Sequence, residues 1–130
     1  NKDLKLLYVY EKIDLLCRKA KKQYNCIIEK KYNNIFQDKN VDIIFIASPT
    51  NTHIKFIEEA MKYRKTIFCE KPLDLNIKKI FKTFKKVKKN KPKIQLGFNR
   101  RYDPGHFSIK KDLTRNKIRK LEKTFIEASW

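Results

Sequence analysis

Short apolar runs alternate with amphipathic stretches along the chain. Residues 4–10, 41–47 and 66–69 combine β-branched, aromatic and aliphatic side chains in segments of strand length, which predicts three β-strands. Shorter runs at residues 26–28 and 94–98 predict two more. The first run is nearly continuous in apolar residues, a pattern typical of a parallel strand with both faces covered.

Apolar residues at helical spacing predict a helix in each of the three longer intervals between these strands. A polar turn at residues 48–52 precedes the second helix, and Asn51 or Thr52 is its expected N-cap. Asn76 is expected to cap the third helix, and residues 33–36 are expected to form a short helix or turn. The expected inner faces, helix by helix, are Ile13, Leu16, Cys17, Ala20 and Tyr24; Ile54, Ile57, Ala60 and Met61; and Ile77, Ile80, Phe81, Phe84 and Val87.

Strands that alternate with helices at this spacing predict right-handed βαβ units and a parallel sheet, the α/β class. After Phe98 the pattern changes to a polar junction, a helix over residues 106–115 and the start of a strand over 121–130. We therefore predict one domain over residues 1–99 and the beginning of a second over residues 100–130.

Composition limits the class of protein. With 130 residues, of which 41% are hydrophobic and 12% aromatic, the chain is long enough to build a globular core. Its formal net charge is +19, and all but six of its 33 basic residues are lysine. Proteins that read nucleic acids rely on arginine, and these lysines are spread over the whole chain, so nucleic acid is not an expected partner. A basic module that binds polyanions is the alternative, and its affinity would fall steeply with salt.

The predicted helix after Asn76 carries many lysines opposite its apolar residues, as do helices that lie on membrane surfaces. The surrounding α/β pattern favours a solvated outer helix instead, so no membrane partner is expected. Cys17, Cys26 and Cys69 lack the paired spacing of metal ligands, which predicts no metal site and reduced thiols in a cytoplasmic protein. No apolar run is long enough to span a membrane, and no signal peptide is recognisable.

Candidate chemistry lies where the strand over residues 66–69 ends. Glu70 and Lys71 follow it directly, and Pro72 cannot continue the strand because it has no N–H. A carboxylate and an amine are therefore expected at the carboxyl end of a buried strand, where open α/β sheets bind ligands. The alternative is an ordinary solvated turn. Lys71–Pro72 is also a candidate cis peptide, as some tight functional turns require.

Three motifs stand in order along the chain: Ala-Ser-Pro-Thr-Asn-Thr-His at residues 47–53, Glu-Lys-Pro at 70–72 and Gly-Phe-Asn-Arg-Arg-Tyr-Asp-Pro at 97–104. Together they resemble the glucose–fructose oxidoreductase and inositol dehydrogenase (Gfo/Idh/MocA) family, and the third motif is most similar to its myo-inositol 2-dehydrogenase branch. The resemblance covers nearly the whole chain. It implies a Rossmann-like, doubly wound parallel sheet that binds NAD, with NADP as the alternative, and then a second α/β domain for substrate binding and oligomerisation.

The reaction implied by the resemblance is hydride transfer between the nicotinamide and a hydroxyl carbon of a small polyol, a cyclitol or a sugar. The full-length enzyme is expected to be a homo-oligomer. Lys71 would be the catalytic residue, because an ammonium beside the nicotinamide can orient the substrate hydroxyl. Glu11 would accept from the adenosine ribose hydroxyls, and its charge favours NAD because it repels a 2′-phosphate. The other implied cofactor-binding residues are Ala47, Ser48, Pro49, Thr50, Asn51, His53, Glu70, Asn99 and Arg101.

Several of these residues also suit ordinary structural roles. His53 suits a helix start, Glu11 an exposed surface, and Asn99 with Arg101 a hydrogen-bonded corner between domains. Cys69 is expected to be strand core rather than a nucleophile, and a structural role is expected for His106.

The chain departs from the family pattern at both ends. It lacks the Gly-x-Gly-x-x-Gly fingerprint with its strand, and also the Asp and His that complete the family's catalytic group. The missing strand is the central one in the order 3-2-1-4-5-6, so the strands over residues 4–10 and 41–47 are expected to have unpaired inner edges. We therefore expect a fragment of an enzyme that is inactive as it stands, and a decayed, non-catalytic homologue is the alternative.

Overall fold

A computed structural model gives the fold of residues 4–114, which divide after Gly97 into two compact units. In the first unit strands and helices alternate. The strands are β1 (Tyr8–Val9), β2 (Ile27–Ile28), β3 (Ile43–Ile46), β4 (Thr66–Cys69) and β5 (Ile94–Leu96). The helices are α1 (Asp14–Tyr24), α2 (Tyr32–Gln37), α3 (His53–Lys62) and α4 (Ile77–Asn90). All the pairings between these strands are parallel, which confirms the predicted α/β class.

The second unit begins at Phe98. Its described residues form a 3₁₀ turn, Asn99–Tyr102, and helix α5, Pro104–Thr114. The Asp103 carboxylate lies 2.9 Å from ring Nδ1 of His106 and accepts from its backbone N–H at 3.0 Å, and these contacts hold the pKa of Asp103 below its ordinary value. His106 therefore has a structural role at a helix start, as predicted. The strand predicted over residues 121–130 lies outside the described residues.

The strands of the first unit form two separate sheets. β1 pairs with β2, while β3, β4 and β5 pair in that order. Within residues 4–97, β1 and β3 each keep the unpaired inner edge that the sequence predicts. A groove of about 720 Å³ separates these strands and is lined by both of them and by residues of α1 and α2.

β1 and β3 are shorter than the apolar runs that contain them. The runs over residues 4–10 and 41–47 form strand only at Tyr8–Val9 and Ile43–Ile46, because each pairs along one edge only. The prediction that the first run is covered on both faces is wrong. Leu4 is 64% exposed and Leu6 41% exposed, since both line the open groove rather than a closed core.

Side chains of β3 and β4 alternate between two faces of the three-stranded sheet. One face buries Ile44, Ile46, Ile67 and Cys69 in the core with Ile57 and Ala60 of α3. On the other face the rings of Phe45 and Phe68 stack, with centroids 4.6 Å apart. The three cysteines are free and buried, as predicted.

The inner face of α4 differs from the prediction. Thr83 is 2% exposed, whereas Phe81 and Phe84 are each 62% exposed. This helix packs against α3, and Lys86 Nζ donates to a carboxylate oxygen of Glu58 across that contact at 2.7 Å. Only the stripe that faces α3 is therefore covered. Among the helices of residues 4–114, none has the length and apolar character needed to cross a membrane.

Asn76 caps α4, as predicted. Its Oδ1 accepts from the backbone N–H groups of Lys78 and Lys79 at 3.0 and 3.3 Å. Asn76→Ala leaves both donors without this acceptor, so we expect the free energy of unfolding to fall by about 1 kcal/mol. Denaturant titration of the gene product that contains this chain measures the loss. Asn76→Asp keeps the acceptor and adds a favourable charge at the helix N-terminus, so an equal loss in both variants would contradict the role of the cap.

Candidate functional site

The carboxyl ends of β3, β4 and β5 lie side by side. The backbone N–H of Glu70 donates to the Ile46 carbonyl at 2.9 Å, and that of Gly97 donates to the Cys69 carbonyl at 2.8 Å. The parallel pairing therefore continues to the last residue of each strand. As a result, three segments leave the sheet at the same end, and they begin at Ala47, Glu70 and Gly97. Each of these residues is also the first of a sequence motif. This carboxyl end of the sheet is called the common edge.

The segment after β3, residues 47–52, is called the first turn. It contains a 3₁₀ turn, Thr50–Thr52, that leads directly into α3. The Thr52 hydroxyl donates to the Pro49 carbonyl at 2.7 Å and lies 2.6 Å from the Ser48 hydroxyl. Thr52 occupies the N-cap position but makes no side-chain cap bond. The predicted N-cap position of Thr52 is therefore confirmed, but its side chain makes no cap bond because the 3₁₀ turn engages the Thr52 hydroxyl.

His53, the first residue of α3, joins the first turn to the segment after β4. Its side chain is buried, with Nε2 2.7 Å from the Ser48 carbonyl oxygen and Nδ1 2.8 Å from the Pro72 carbonyl oxygen. The predicted helix-start position of His53 is confirmed. Its membership of a cofactor pocket stays a prediction.

The segment after β4, residues 70–73, is called the second turn. Glu70 is half-buried and Lys71 is exposed, and the Lys71–Pro72 peptide is cis. The Glu70 carboxylate accepts from the backbone N–H of Lys71 at 3.3 Å. Just before the turn, Cys69 is fully buried, and burial raises the pKa of its thiol to about 11. A thiol with this pKa is not an activated nucleophile, so Cys69 is strand core, as predicted.

Gly97 also lies at this edge, and it is not among the predicted site residues. A Cβ at position 97 would lie 2.9 Å from one carboxylate oxygen of Glu70 and 3.1 Å from the other. Glycine is therefore the residue that leaves room for the Glu70 carboxylate. The sequence carried one signal for it, because Gly97 is one of only two glycines in the chain.

Three of the predicted cofactor-binding residues meet at the groove between β1 and β3. Glu11, Ala47 and Ser48 all line it. Oε1 of Glu11 accepts from the backbone N–H groups of Lys12 and Ile13 at 2.6 and 3.0 Å, so one carboxylate oxygen holds the start of α1. The other predicted residues lie elsewhere: Pro49, Thr50 and Asn51 in the first turn, His53 at the start of α3, Glu70 in the second turn, and Asn99 and Arg101 in the second unit.

Residues 2–98 match the family described as an oxidoreductase family with an NAD-binding Rossmann fold, GFO_IDH_MocA. The chain belongs to this family. The match confirms the predicted family, and it confirms the Rossmann fold with NAD as the cofactor of that fold.

Relatives within the Gfo/Idh/MocA family include an inositol 2-dehydrogenase of Rhizobium meliloti, 31% identical over 122 residues that cover 94% of this chain and 37% of that protein. The uncharacterised oxidoreductase YrbE of Bacillus subtilis is 39% identical over 89 residues, 68% of this chain and 26% of its own length. A scyllo-inositol dehydrogenase of Lactobacillus casei, solved with bound NAD(H) and scyllo-inositol, aligns with a TM-score of 0.81 and 30% identity, over 87% of this chain and 34% of its own. The chain thus spans well under half the length of these relatives.

Gly97→Ala tests the packing of Glu70 at the strand edge. The added methyl group must displace the Glu70 carboxylate. If that carboxylate contributes to the site, we expect kcat/KM of the gene product for its NAD-dependent reaction to fall by roughly tenfold. In the double variant with Glu70→Ala the clash disappears, and the second change should add little to the loss caused by Glu70→Ala alone. Gly105→Ala in α5 is the matched control. Full additivity of Gly97→Ala and Glu70→Ala would contradict the explanation.

Proposed function

We propose that the protein containing this chain is an NAD-dependent dehydrogenase of the inositol 2-dehydrogenase type. It would transfer a hydride between the nicotinamide and a hydroxyl carbon of a cyclitol, with sugars as the related substrate class. The observation that carries the proposal is the common edge formed by the ends of β3, β4 and β5, from which the first turn and the second turn, with Lys71, both emerge. Such an edge is where doubly wound sheets bind dinucleotides.

The relatives support a cyclitol as the substrate. One is an inositol 2-dehydrogenase, and another was solved with scyllo-inositol and NAD(H). In this proposal residues 1–99 form the cofactor-binding domain, and residues 100–130 begin the domain for substrate binding and oligomerisation.

The residues at the groove have a chemistry that fits the adenosine end of NAD. Glu11 follows β1 and lines the groove. Its carboxylate has enough lone pairs to accept from ribose hydroxyls while Oε1 also accepts from the N–H groups at the start of α1. Ser48 supplies a hydroxyl, and the first turn leads into the N-terminus of α3, whose N–H groups favour polar and anionic groups. Ala47, Pro49, Thr50 and Asn51 would complete this contact.

The reactive end of the site is assigned to the second turn. When bound, the nicotinamide supplies the hydride acceptor or donor. Lys71 would orient the substrate hydroxyl and stabilise negative charge that develops on its oxygen. Glu70 would contact the cofactor beside it, and Asn99 and Arg101 are the remaining cofactor contacts in this proposal.

The test is binding and turnover by the gene product that contains this chain. We expect calorimetric titration to show binding of NAD in preference to NADP, and absorbance to show NADH formation with myo-inositol or scyllo-inositol. NAD binding without turnover of any polyol or sugar would favour a decayed, non-catalytic homologue. Absence of NAD binding, together with heparin binding that weakens steeply with salt, would favour the polyanion-binding module.

A further inference from the structure

His53 is the buried polar side chain that links the two turns of the candidate site. It is 1% exposed, and its two ring nitrogens lie 2.7 Å from the Ser48 carbonyl oxygen and 2.8 Å from the Pro72 carbonyl oxygen. Both partners are backbone atoms. The ring therefore holds the backbone in place, and it does so in two segments that are distant in the sequence.

The chemistry of these contacts restricts the residue type. A carbonyl oxygen only accepts, so a side chain that bonds both carbonyls must present polar nitrogens on two of its sides, as the histidine ring does. Phenylalanine has a ring of similar shape and no donor. Glutamine carries both of its N–H donors on a single amide nitrogen, so its donors cannot point to opposite sides of the side chain. Histidine is thus suited to tie two carbonyl groups that approach it from different directions.

One of the two carbonyl groups belongs to the residue after Lys71. A shift of the Pro72 carbonyl must move the second turn, and with it the backbone that carries Lys71. The other carbonyl belongs to Ser48 in the first turn, which lines the groove assigned to the cofactor. The ring consequently fixes the separation between a segment assigned to the cofactor and the segment assigned to catalysis.

We propose that His53 is a positioning residue, which sets the place of Lys71 relative to the first turn by binding the Ser48 and Pro72 carbonyls. The inference rests on the proposed function and adds a determinant of its rate. Misplacement of a catalytic group by about 1 Å costs roughly 10²-fold in rate, so even a small relaxation of the second turn has a measurable effect.

Kinetics of His53→Phe in the full gene product test the proposal. We expect kcat to fall by roughly 10- to 100-fold. If His53 acts through Lys71, the double variant His53→Phe with Lys71→Met should be no slower than Lys71→Met alone. Ile57→Val, a change at a fully buried position of the same helix, is the control for lost packing and should leave kcat unchanged. An unchanged kcat in folded His53→Phe, or fully additive losses in the double variant, would overturn the inference.

Amide hydrogen exchange on the same variants gives a readout that needs no activity. We expect His53→Phe to speed exchange in residues 47–52 and 70–73 together, and Ile57→Val to leave both turns unchanged. If the wild-type protein has no NAD-dependent activity but exchange in the two turns is coupled, the proposed function is overturned and the link made by His53 stands. If the protein is active and either turn keeps its wild-type exchange in His53→Phe, the inference is overturned alone.

Discussion

Lys71→Met is expected to lower kcat of the full gene product by roughly 10²- to 10⁴-fold, the range that a positioned acid–base group contributes. Lys71 is exposed at the end of β4, so methionine removes the charge and the donors without opening a cavity in the core. The dissociation constant for NAD should change little, because the role assigned to the ammonium is contact with the substrate hydroxyl. Steady-state rates and a separate NAD titration distinguish the two effects.

Two further lysine variants sharpen the interpretation of Lys71→Met. Lys71→Arg keeps the positive charge but replaces a compact ammonium with a planar fork, so we expect part of the rate to return. Lys78→Met makes the same chemical change at an exposed position of α4 and should leave kcat unaltered. A Lys71→Met protein that binds NAD and turns over as fast as the Lys78→Met protein would rule out the catalytic assignment.

β4 was predicted with its correct bounds because two local signals agree there. Thr66–Cys69 is a run of strand-forming residues, and Pro72 prevents the strand from continuing. At β1 and β3 the apolar runs were correct but the lengths were too long, since the extent of a strand depends on pairing with a neighbour. Periodicity reports which residues avoid water, and it carries no information on whether a second edge is paired.

α4 shows a similar limit. Its apolar positions were recognised, and its cap at Asn76 was correct because capping depends on residues close in sequence. The prediction of its covered face is wrong, since the burial of Thr83 and the exposure of Phe81 depend on which neighbouring element the helix packs against. For the same reason the sequence does not reveal the contacts of Gly97 and His53. Gly97 lies against Glu70 and His53 contacts Pro72, and the residues of each pair are far apart in sequence. The motif spacing therefore indicates the position of each residue but not its partner.

Lys65 is a further residue that no local signal distinguishes, because the chain is rich in lysine throughout. Its side chain is buried just before β4, and Nζ donates to the carbonyl oxygens of Asp38 and Val41 at 2.6 and 2.7 Å. These carbonyls belong to the loop that leads into β3. The Asp38 carboxylate also accepts from the Tyr8 hydroxyl of β1 at 2.7 Å. The loop held by Lys65 therefore connects both sheets.

Lys65→Met is expected to lower the free energy of unfolding by about 2–4 kcal/mol, because two charge-assisted hydrogen bonds are lost and two carbonyl groups are left near an apolar side chain. Denaturant titration of the gene product measures the loss, and Lys93→Met at an exposed position is the matched control. Hydrogen exchange should quicken at the start of both β3 and β4, and at Tyr8 as well, since the loop reaches all three. A loss no larger than that of Lys93→Met would show that the buried ammonium contributes nothing to the pairing of the strands, and would leave the adjacent backbone bond from Thr66 to Asp42 as the link that sets their register.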